Sequence, residues 1–346
     1  SLLEASKAEA RAFCQRHGIP CAPTVHFSPA TGLGDLKAYL EANRGRTLVL
    51  KKSGLAAGKG VLESKDTGEL LNFGEAVLCN DELLAEEYLE GRELSLPVLL
   101  TEAGHLPLPA LGGHKRALAG DRGPSTGGMG AFSPLPFASP ELLAQIQKDI
   151  IAPSLEGMAK EGLLYRGVLV FGVMATPAGP RLLDYNVRFG DPETQVLLPR
   201  LEGDFAALCA AISRGGAIPR PDFSARYACG VVVAAPGYPI SHSRGLPVDL
   251  SALGGSVSLG QPGIELGSDP GEAGAKALLF QAATGRDGEG GIRTGGGRCF
   301  TAVGLGQDWS KARDRAYEVA GMVAFEGAWF RPDIGDSVFS AGPSRS

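Results

Sequence analysis

Three glycine clusters, Gly54 to Gly60, Gly127 to Gly130 and Gly295 to Gly297, constrain this chain more than any other feature. Glycine has no Cβ, so a cluster marks either tight turns or backbone lying close to another group. The first cluster directly follows Thr47 to Lys51, a short apolar run that reads as a strand. The chain carries 50 glycines in 346 residues, roughly twice the usual share, without a collagen-like period. Loops delivered by strand ends are therefore expected.

The other composition values narrow the class. Hydrophobic residues make up 44% and charged residues 21%, enough for a sizeable core, and the length suggests about two or three domains. The formal charge of −5 argues against a nucleic-acid or acidic-membrane surface, so any phosphate site must be built locally. Cys14, Cys21, Cys79, Cys209, Cys229 and Cys299 form no CxxC pair, which leaves zinc and dithiol chemistry unsupported. A reducing, cytoplasmic setting is expected. Ser1 to Arg11 reads as a helix pattern rather than a secretory signal. Val168 to Ala175 and Val231 to Ala235 are too short to cross a bilayer as helices and read as buried strands.

Along the chain, Ala5 to Arg16 reads as an amphipathic helix with Ala10, Phe13 and Cys14 on one face, ended by Gly18-Ile19-Pro20. Asp35 to Ala42, Pro140 to Glu161, Asp204 to Arg214 and Lys311 to Val323 are expected helices. Leu83 to Tyr88, Leu94 to Thr101 and Leu106 to Leu111 are expected strands, and Gly167 to Ala175 with Arg181 to Tyr185 a hairpin. Val231 to Ala235, Val257 to Leu259, Lys276 to Phe280 and Cys299 to Leu305 are the expected strands of a separate small α+β domain. His114 to Pro136, rich in Gly and Pro, is expected to be a long loop, either functional or disordered. Ser340 to Ser346 is expected to be a tail.

Four segments carry chemistry. In Leu48 to Val61 a strand delivers Lys51, then a glycine turn, then Lys59; backbone N–H groups and lysines together can cradle phosphate. The spacing is not that of a Walker A loop. Glu86 to Ser95 ends a strand in acidic residues that could accept ribose hydroxyls, although taken alone a charged turn is the better reading. Gly123 to Pro134 can wrap an anion, with His114, Lys115 and Arg116 as cationic donors or a plain basic triplet. In Leu182 to Gln195, alternation puts Asp184 and Asn186 on one strand face as hard oxygen ligands for Mg²⁺, with Arg188 following and Asp191 and Glu193 in the next turn.

These segments, in this order, resemble the glycinamide ribonucleotide synthetase family. Ser53 to Val61 is similar to DGLAAGKGV, Gly123 to Pro134 to GPNTGGMGAYSP, and Asp184 to Thr194 to EFNxRFGDPET. His114-Lys115-Arg116 matches a DHKR segment, Gly230 to Pro239 resembles GVVMAAGGYP, and Thr294 to Arg298 resembles TNGGR. The resemblance implies an α+β ATP-grasp fold, in which two α+β subdomains sandwich ATP, with a small C-terminal α+β domain. The expected boundaries are 1–93, 94–225 and 226–338, then the tail 339–346. Lys51, Gly58, Lys59 and Arg11 (or Lys7) would contact ATP phosphates, Glu86, Glu87 and Leu89 the adenine side, and Glu93 the ribose. Asp184 and Asn186 would hold Mg²⁺ or Mn²⁺. His114, Lys115, Gly127, Gly128, Gly130, Arg188 and Asp191 would face glycine and phosphoribosylamine, with Lys59, Arg188 and Asp191 nearest the chemistry. The implied reaction is ATP-dependent joining of glycine to 5-phosphoribosylamine through glycyl phosphate, a step of purine biosynthesis. A ligase for another acid and amine, and an inactive nucleotide-binding remnant, are the alternative readings.

The sequence also departs from the family pattern. Members carry an N-terminal αβ domain of about a hundred residues, within the usual domain range, that this sequence does not contain. A piece of a longer chain, a separately supplied domain and a different substrate are all compatible with that. Ser53 stands where an aspartate is usual, which would remove a carboxylate beside the phosphates. Asp184 replaces a glutamate, Ser125 an asparagine, and Gly112-Gly113 a Gln-Asp pair.

Overall fold

The computed structural model describes residues 2–30, 32–54, 60–254, 264–266 and 276–339. The expected loop residues Gly58 and Lys59, the expected strand Val257 to Leu259 and the expected tail Ser340 to Ser346 lie outside the described residues. Packing divides the chain into two units. The first comprises 1–108, 138–189 and 209–219, and the second 109–137, 190–208 and 220–346.

The first unit holds two four-stranded antiparallel sheets. One runs Thr24–Phe27, Leu83–Glu87, Leu48–Lys52, Val61–Ser64. The other runs Gly179–Asn186, Gly167–Thr176, Arg92–Thr101, Gly104–Pro107. Helices Gly32–Ala42 and Thr67–Leu78 cover the first sheet, with Leu36, Leu40, Leu70 and Leu78 packing on Leu48, Leu50 and Leu83. The helix Thr67–Leu78 and the strand Val61–Ser64 are additions to the sequence reading. Asp66 caps the helix, its side chain accepting the Glu69 N–H at 2.8 Å. Gly74 interrupts the apolar pattern because a Cβ there would sit 2.3 Å from Leu36 Cδ2. The helix Lys7–Arg16 forms as expected, capped by Ser6 and burying Ala10, Arg11, Phe13 and Cys14. The expected strand Leu106 to Leu111 instead covers Gly104–Pro107, where proline withdraws a ladder donor and Leu108 N bonds Pro97 O at 2.8 Å. The helical stretch after Pro140 contains a π turn at Gln147–Ile151.

The second unit is built on a six-stranded antiparallel sheet: Ile264–Leu266, Lys276–Gln281, Arg298–Gly306, Tyr227–Ala234, Arg122–Ser133, Gly112–Leu118. The helix Trp309–Gly321 packs on it through Ala312, Ala316, Val319 and Ala320. Small strand residues admit the helix: a Cβ on Gly304 would lie 2.1 Å from the Ala312 carbonyl.

The stretch from His114 to Pro136, expected as a long loop, is mostly strand. Gly112–Leu118 and Arg122–Ser133 are paired strands, and the second also pairs with Tyr227–Ala234, Ser133 opposite Ala228 and Gly130 opposite Val231. Glycine is a poor strand former in isolation. Its smallness is used here, since a Cβ on Gly130 would stand 2.6 Å from the Gly230 carbonyl and from Ile334 Cδ1. Asp121, in the left-handed region at φ 52°, turns the hairpin.

Candidate functional site

In the first unit, cationic and acidic groups converge where the strand Leu48–Lys52 gives way to the glycine loop. Glu86 is 2% exposed. Its Oε2 lies 2.6 Å from Lys51 Nζ and its Oε1 2.7 Å from Arg11 Nε. Burial opposes its charge, but Lys51 and Arg11 together hold the carboxyl below the usual range. Arg11 is itself buried and spends Nη2 on the Leu183 carbonyl at 2.7 Å. Arg11 is thus a strut under the site, whereas Lys7 Nζ stands at the loop, donating to the Gly54 carbonyl at 3.3 Å. Burial lowers the Lys7 ammonium from its usual value, against the pull of Asp184.

Ser53 is turned inward. Its Oγ meets Ser6 Oγ and the Ala8 N–H, both at 3.2 Å, and its carbonyl accepts the Lys7 N–H at 3.0 Å. The position braces the first turn of the helix Lys7–Arg16, so the sequence-based view of a carboxylate position beside phosphates does not describe this side chain. Asp81 supports the loop from below: its Oδ1 accepts the Glu82 N–H at 2.8 Å, and a Cβ on Gly54 would lie 2.7 Å from its Oδ2.

The adenine-side residues predicted from sequence fall on the adjoining strand end. Glu87 is half-buried, pairs with Arg46 at 3.3 Å, and its N–H bonds the Pro23 carbonyl at 3.1 Å. Leu89 and Glu93 are half-buried, and Glu93 sits opposite Met174 on the second sheet.

Asp184 and Asn186 close the strand Gly179–Asn186. A register shift between Leu182 and Asp184 leaves both on the face opposite buried Tyr185, with Asn186 Nδ2 3.3 Å from Asp184 Oδ1. Gly172 makes room, since a Cβ there would meet Asp184 Oδ1 at 2.3 Å. Among the described residues no three His, Cys, Asp or Glu side chains cluster as a metal cage. Two adjacent side chains with hard oxygen donors fit a divalent cation. Glu4, absent from the sequence-based site, steadies the following segment: Oε2 accepts the Val187 N–H at 3.0 Å and Oε1 lies 3.5 Å from Arg188 Nε. Arg188 is largely exposed.

In the second unit the predicted substrate residues separate by strand alternation. His114 is buried and both ring nitrogens are engaged, Nδ1 with Asp121 at 3.0 Å and Nε2 with the Gly335 N–H at 3.0 Å. An accepting Nε2 requires the proton on Nδ1. His114 therefore anchors the hairpin, which corrects its reading as a cationic donor to substrate. Lys115 points outward. Arg331, 1% exposed, reinforces the anchor through Asp121 at 2.7 Å and Asp333 at 2.6 Å.

Gly127, Gly128 and Asp191 meet at Arg298, which sequence reasoning quoted in the Thr294 to Arg298 match but assigned no role. Arg298 Nη1 donates to the carbonyls of Asp191 at 2.7 Å and Gly127 at 3.2 Å, and Nη2 pairs with Asp191 Oδ2 at 3.2 Å. Thr126 Oγ1 accepts the Gly128 N–H and donates to the Lys115 carbonyl, tying the two strands. Burial raises the Glu193 carboxyl, which opens the next helix. Gly130, by contrast, is packed inside the sheet, so its contribution is close packing.

Comparison with known proteins adds to this geometry. Residues 5–194 match the family model described as the ATP-grasp (A) domain of phosphoribosylglycinamide synthetase, and residues 228–337 match its C domain. The chain is 38% identical to a phosphoribosylamine–glycine ligase of Caulobacter vibrioides, over 96% of this chain and 75% of that one. It is 36% identical to the chloroplastic enzyme of that name in Arabidopsis thaliana, over 96% and 61%. The crystal structure of a phosphoribosylamine–glycine ligase from Thermotoga maritima superposes with a TM-score of 0.79 at 32% identity, covering 96% of this chain and 79% of that one. A biotin carboxylase domain from Hydrogenobacter thermophilus shares the fold at a TM-score of 0.62 and 16% identity, over 94% and 67%. Among the described residues no helix is long and apolar enough to cross a membrane.

Proposed function

Because this chain belongs to the phosphoribosylglycinamide synthetase family, with an ATP-grasp fold, we propose that it joins glycine to 5-phosphoribosylamine, forming glycinamide ribonucleotide, ADP and phosphate. The observation that carries the reading is the buried Lys51–Glu86–Arg11 network beside the glycine loop and the Asp184–Asn186 pair. One carboxylate shared by two cations leaves the cluster with positive charge to offer a nucleotide, which the chain's overall charge of −5 does not supply.

In this reading Lys51 and Lys7 hold ATP phosphates, while Arg11 keeps Glu86 and hence Lys51 in place. The backbone of Glu87 to Leu89 reads the base and Glu93 takes the ribose. Gly58 and Lys59 complete the phosphate loop. Asp184 and Asn186 would hold Mg²⁺ or Mn²⁺, which would supply positive charge against the charge that builds on the phosphates. Glycine's carboxylate oxygen attacks the γ-phosphorus and the bond to ADP breaks, giving glycyl phosphate. The amine nitrogen then attacks the acyl carbon, phosphate leaves with the bonding electrons, and the nitrogen loses a proton. Arg188 and Lys115 supply cationic contacts to the acid and the phosphorylated amine, and Asp191 and the Gly127–Gly128 backbone orient them. Catalysis rests on positioning and charge neutralisation.

The test is ADP and phosphate release with Mg-ATP, glycine and phosphoribosylamine generated in situ, leaving out each component in turn. Release that needs both glycine and the amine supports the assignment. Release with another acid and amine, and none with this pair, overturns it.

A further inference from the structure

We propose that Arg298 is a positioning residue for the acid- and amine-binding loops, with the third glycine cluster and Tyr238 built to hold it there. The inference rests on the function proposed above for Gly127, Gly128 and Asp191. Three backbone carbonyls from two chain segments, Asp191, Gly127 and Gly128, point at one nitrogen, Arg298 Nη1, at 2.7, 3.2 and 3.5 Å. Carbonyl dipoles aimed at one point repel each other, so this convergence depends on the cation between them. The other terminal nitrogen pairs with Asp191 Oδ2, and Asp191 Oδ1 accepts from Gln195 at 3.0 Å. Both carboxylate oxygens of Asp191 are therefore oriented.

The surrounding shape admits little else. A Cβ on Gly127 would stand 2.9 Å from Arg298 Nη2 and 3.0 Å from Cζ, so the guanidinium lies flat on that glycine. Gly128 has φ +121°, and a Cβ there would meet Pro192 Cδ at 2.7 Å. Tyr238 OH accepts the Gly127 N–H at 3.0 Å. The Tyr238 ring in turn rests on Gly297, where a Cβ would fall 2.1 Å from ring carbon Cδ2. Gly297 thus seats the tyrosine and the next residue supplies the guanidinium. Lysine cannot reproduce the role, because a single ammonium lacks the planar fork that reaches a carboxylate and separate carbonyls together.

The experiment measures Arg298→Met and Arg298→Lys in the full chain for KM of glycine and of the amine, kcat, ATP affinity, and amide exchange by mass spectrometry. The expected result for Arg298→Met is a rise of about tenfold or more in KM for glycine, the amine or both. ATP affinity should stay within about twofold, and exchange should quicken in residues 125–131 but not 48–52. Arg298→Lys should recover less than half of the loss. Guanidinium chloride added to Arg298→Gly should restore activity where ammonium does not. Unchanged KM values in Arg298→Met overturn the proposal. Should that variant melt globally, guanidinium rescue of Arg298→Gly decides, and no rescue overturns it. If the wild-type chain shows no glycine- and amine-dependent turnover, the proposed function fails on its own. The exchange data then judge the brace, and unchanged protection of 125–131 overturns it.

Discussion

Lys51 Nζ lies 2.6 Å from Glu86 Oε2 inside the first unit, and this contact fixes the lysine at the end of the strand Leu48–Lys52. Glu86 neutralises part of the charge of Lys51 and Arg11, so both can be held against one carboxylate. Glu86→Gln leaves buried Arg11 and half-buried Lys51 facing an amide, with an expected loss of about 3–5 kcal/mol and weaker ATP binding. Urea unfolding and nucleotide titration check both. The pH dependence has a definite sign. The folded carboxyl titrates below its unfolded value of about 4.3, so its stabilisation is full above that value and is lost as pH falls toward the folded value. The gap in Tm between wild type and Glu86→Gln should therefore shrink below pH of about 4.3.

Lys7 and Arg11 should separate experimentally. Lys7→Met is expected to weaken ATP binding about tenfold, the scale of one charge-assisted contact, with little change in Tm. Arg11→Met is expected to cost about 3–5 kcal/mol of stability, because Glu86 loses one of its two partners and the Leu183 carbonyl its donor. Equal effects of both on Tm would contradict this division.

Asp184→Asn should raise the divalent cation concentration for half-maximal turnover about tenfold or more, with folding intact. Glu4→Gln should have a smaller effect on the same measurement, because it keeps an acceptor for the Val187 N–H.

Cys21 offers a test of the same neighbourhood from a different group. A hydrogen bond with the Cys14 thiol, aided by Arg11 and opposed by burial, pulls the Cys21 thiol down to about 7. Iodoacetamide labelling mapped by mass spectrometry should show a midpoint near that value. Cys14→Ala should move it back toward the ordinary thiol range, and an unchanged midpoint would remove Cys14 as the cause.

In the second unit, Arg331→Met removes the cation between Asp121 and Asp333 and a donor to the Arg116 carbonyl. Asp121 is half-exposed, so the expected loss is about 2–3 kcal/mol, read from urea midpoints.

The strand and helix placement of several candidate site residues was legible in residue order. The run from Leu182 to Gln195 announces a strand ending in two oxygen donors, because alternation places residues two apart on one face, and Asp184 and Asn186 do lie side by side. Helix Lys7–Arg16 followed from periodicity and from Gly18 and Pro20. The helix Thr67–Leu78 escaped because Gly74 breaks the apolar pattern for a reason that exists only on contact with Leu36, although Asp66 followed by Glu69 was a readable start.

By itself the sequence determined which residue types stand at strand ends and in glycine turns, and through them the family, since these depend on local spacing. Only tertiary structure decided which charges face inward. Periodicity cannot tell Lys7 from Arg11 on one helix, nor foresee that Ser53 turns toward Ser6, that both nitrogens of His114 are engaged, or that Arg298 reaches Asp191 from more than a hundred residues away. Those outcomes rest on long-range pairing, where burying a charged or polar group requires a partner that neighbours in sequence do not supply.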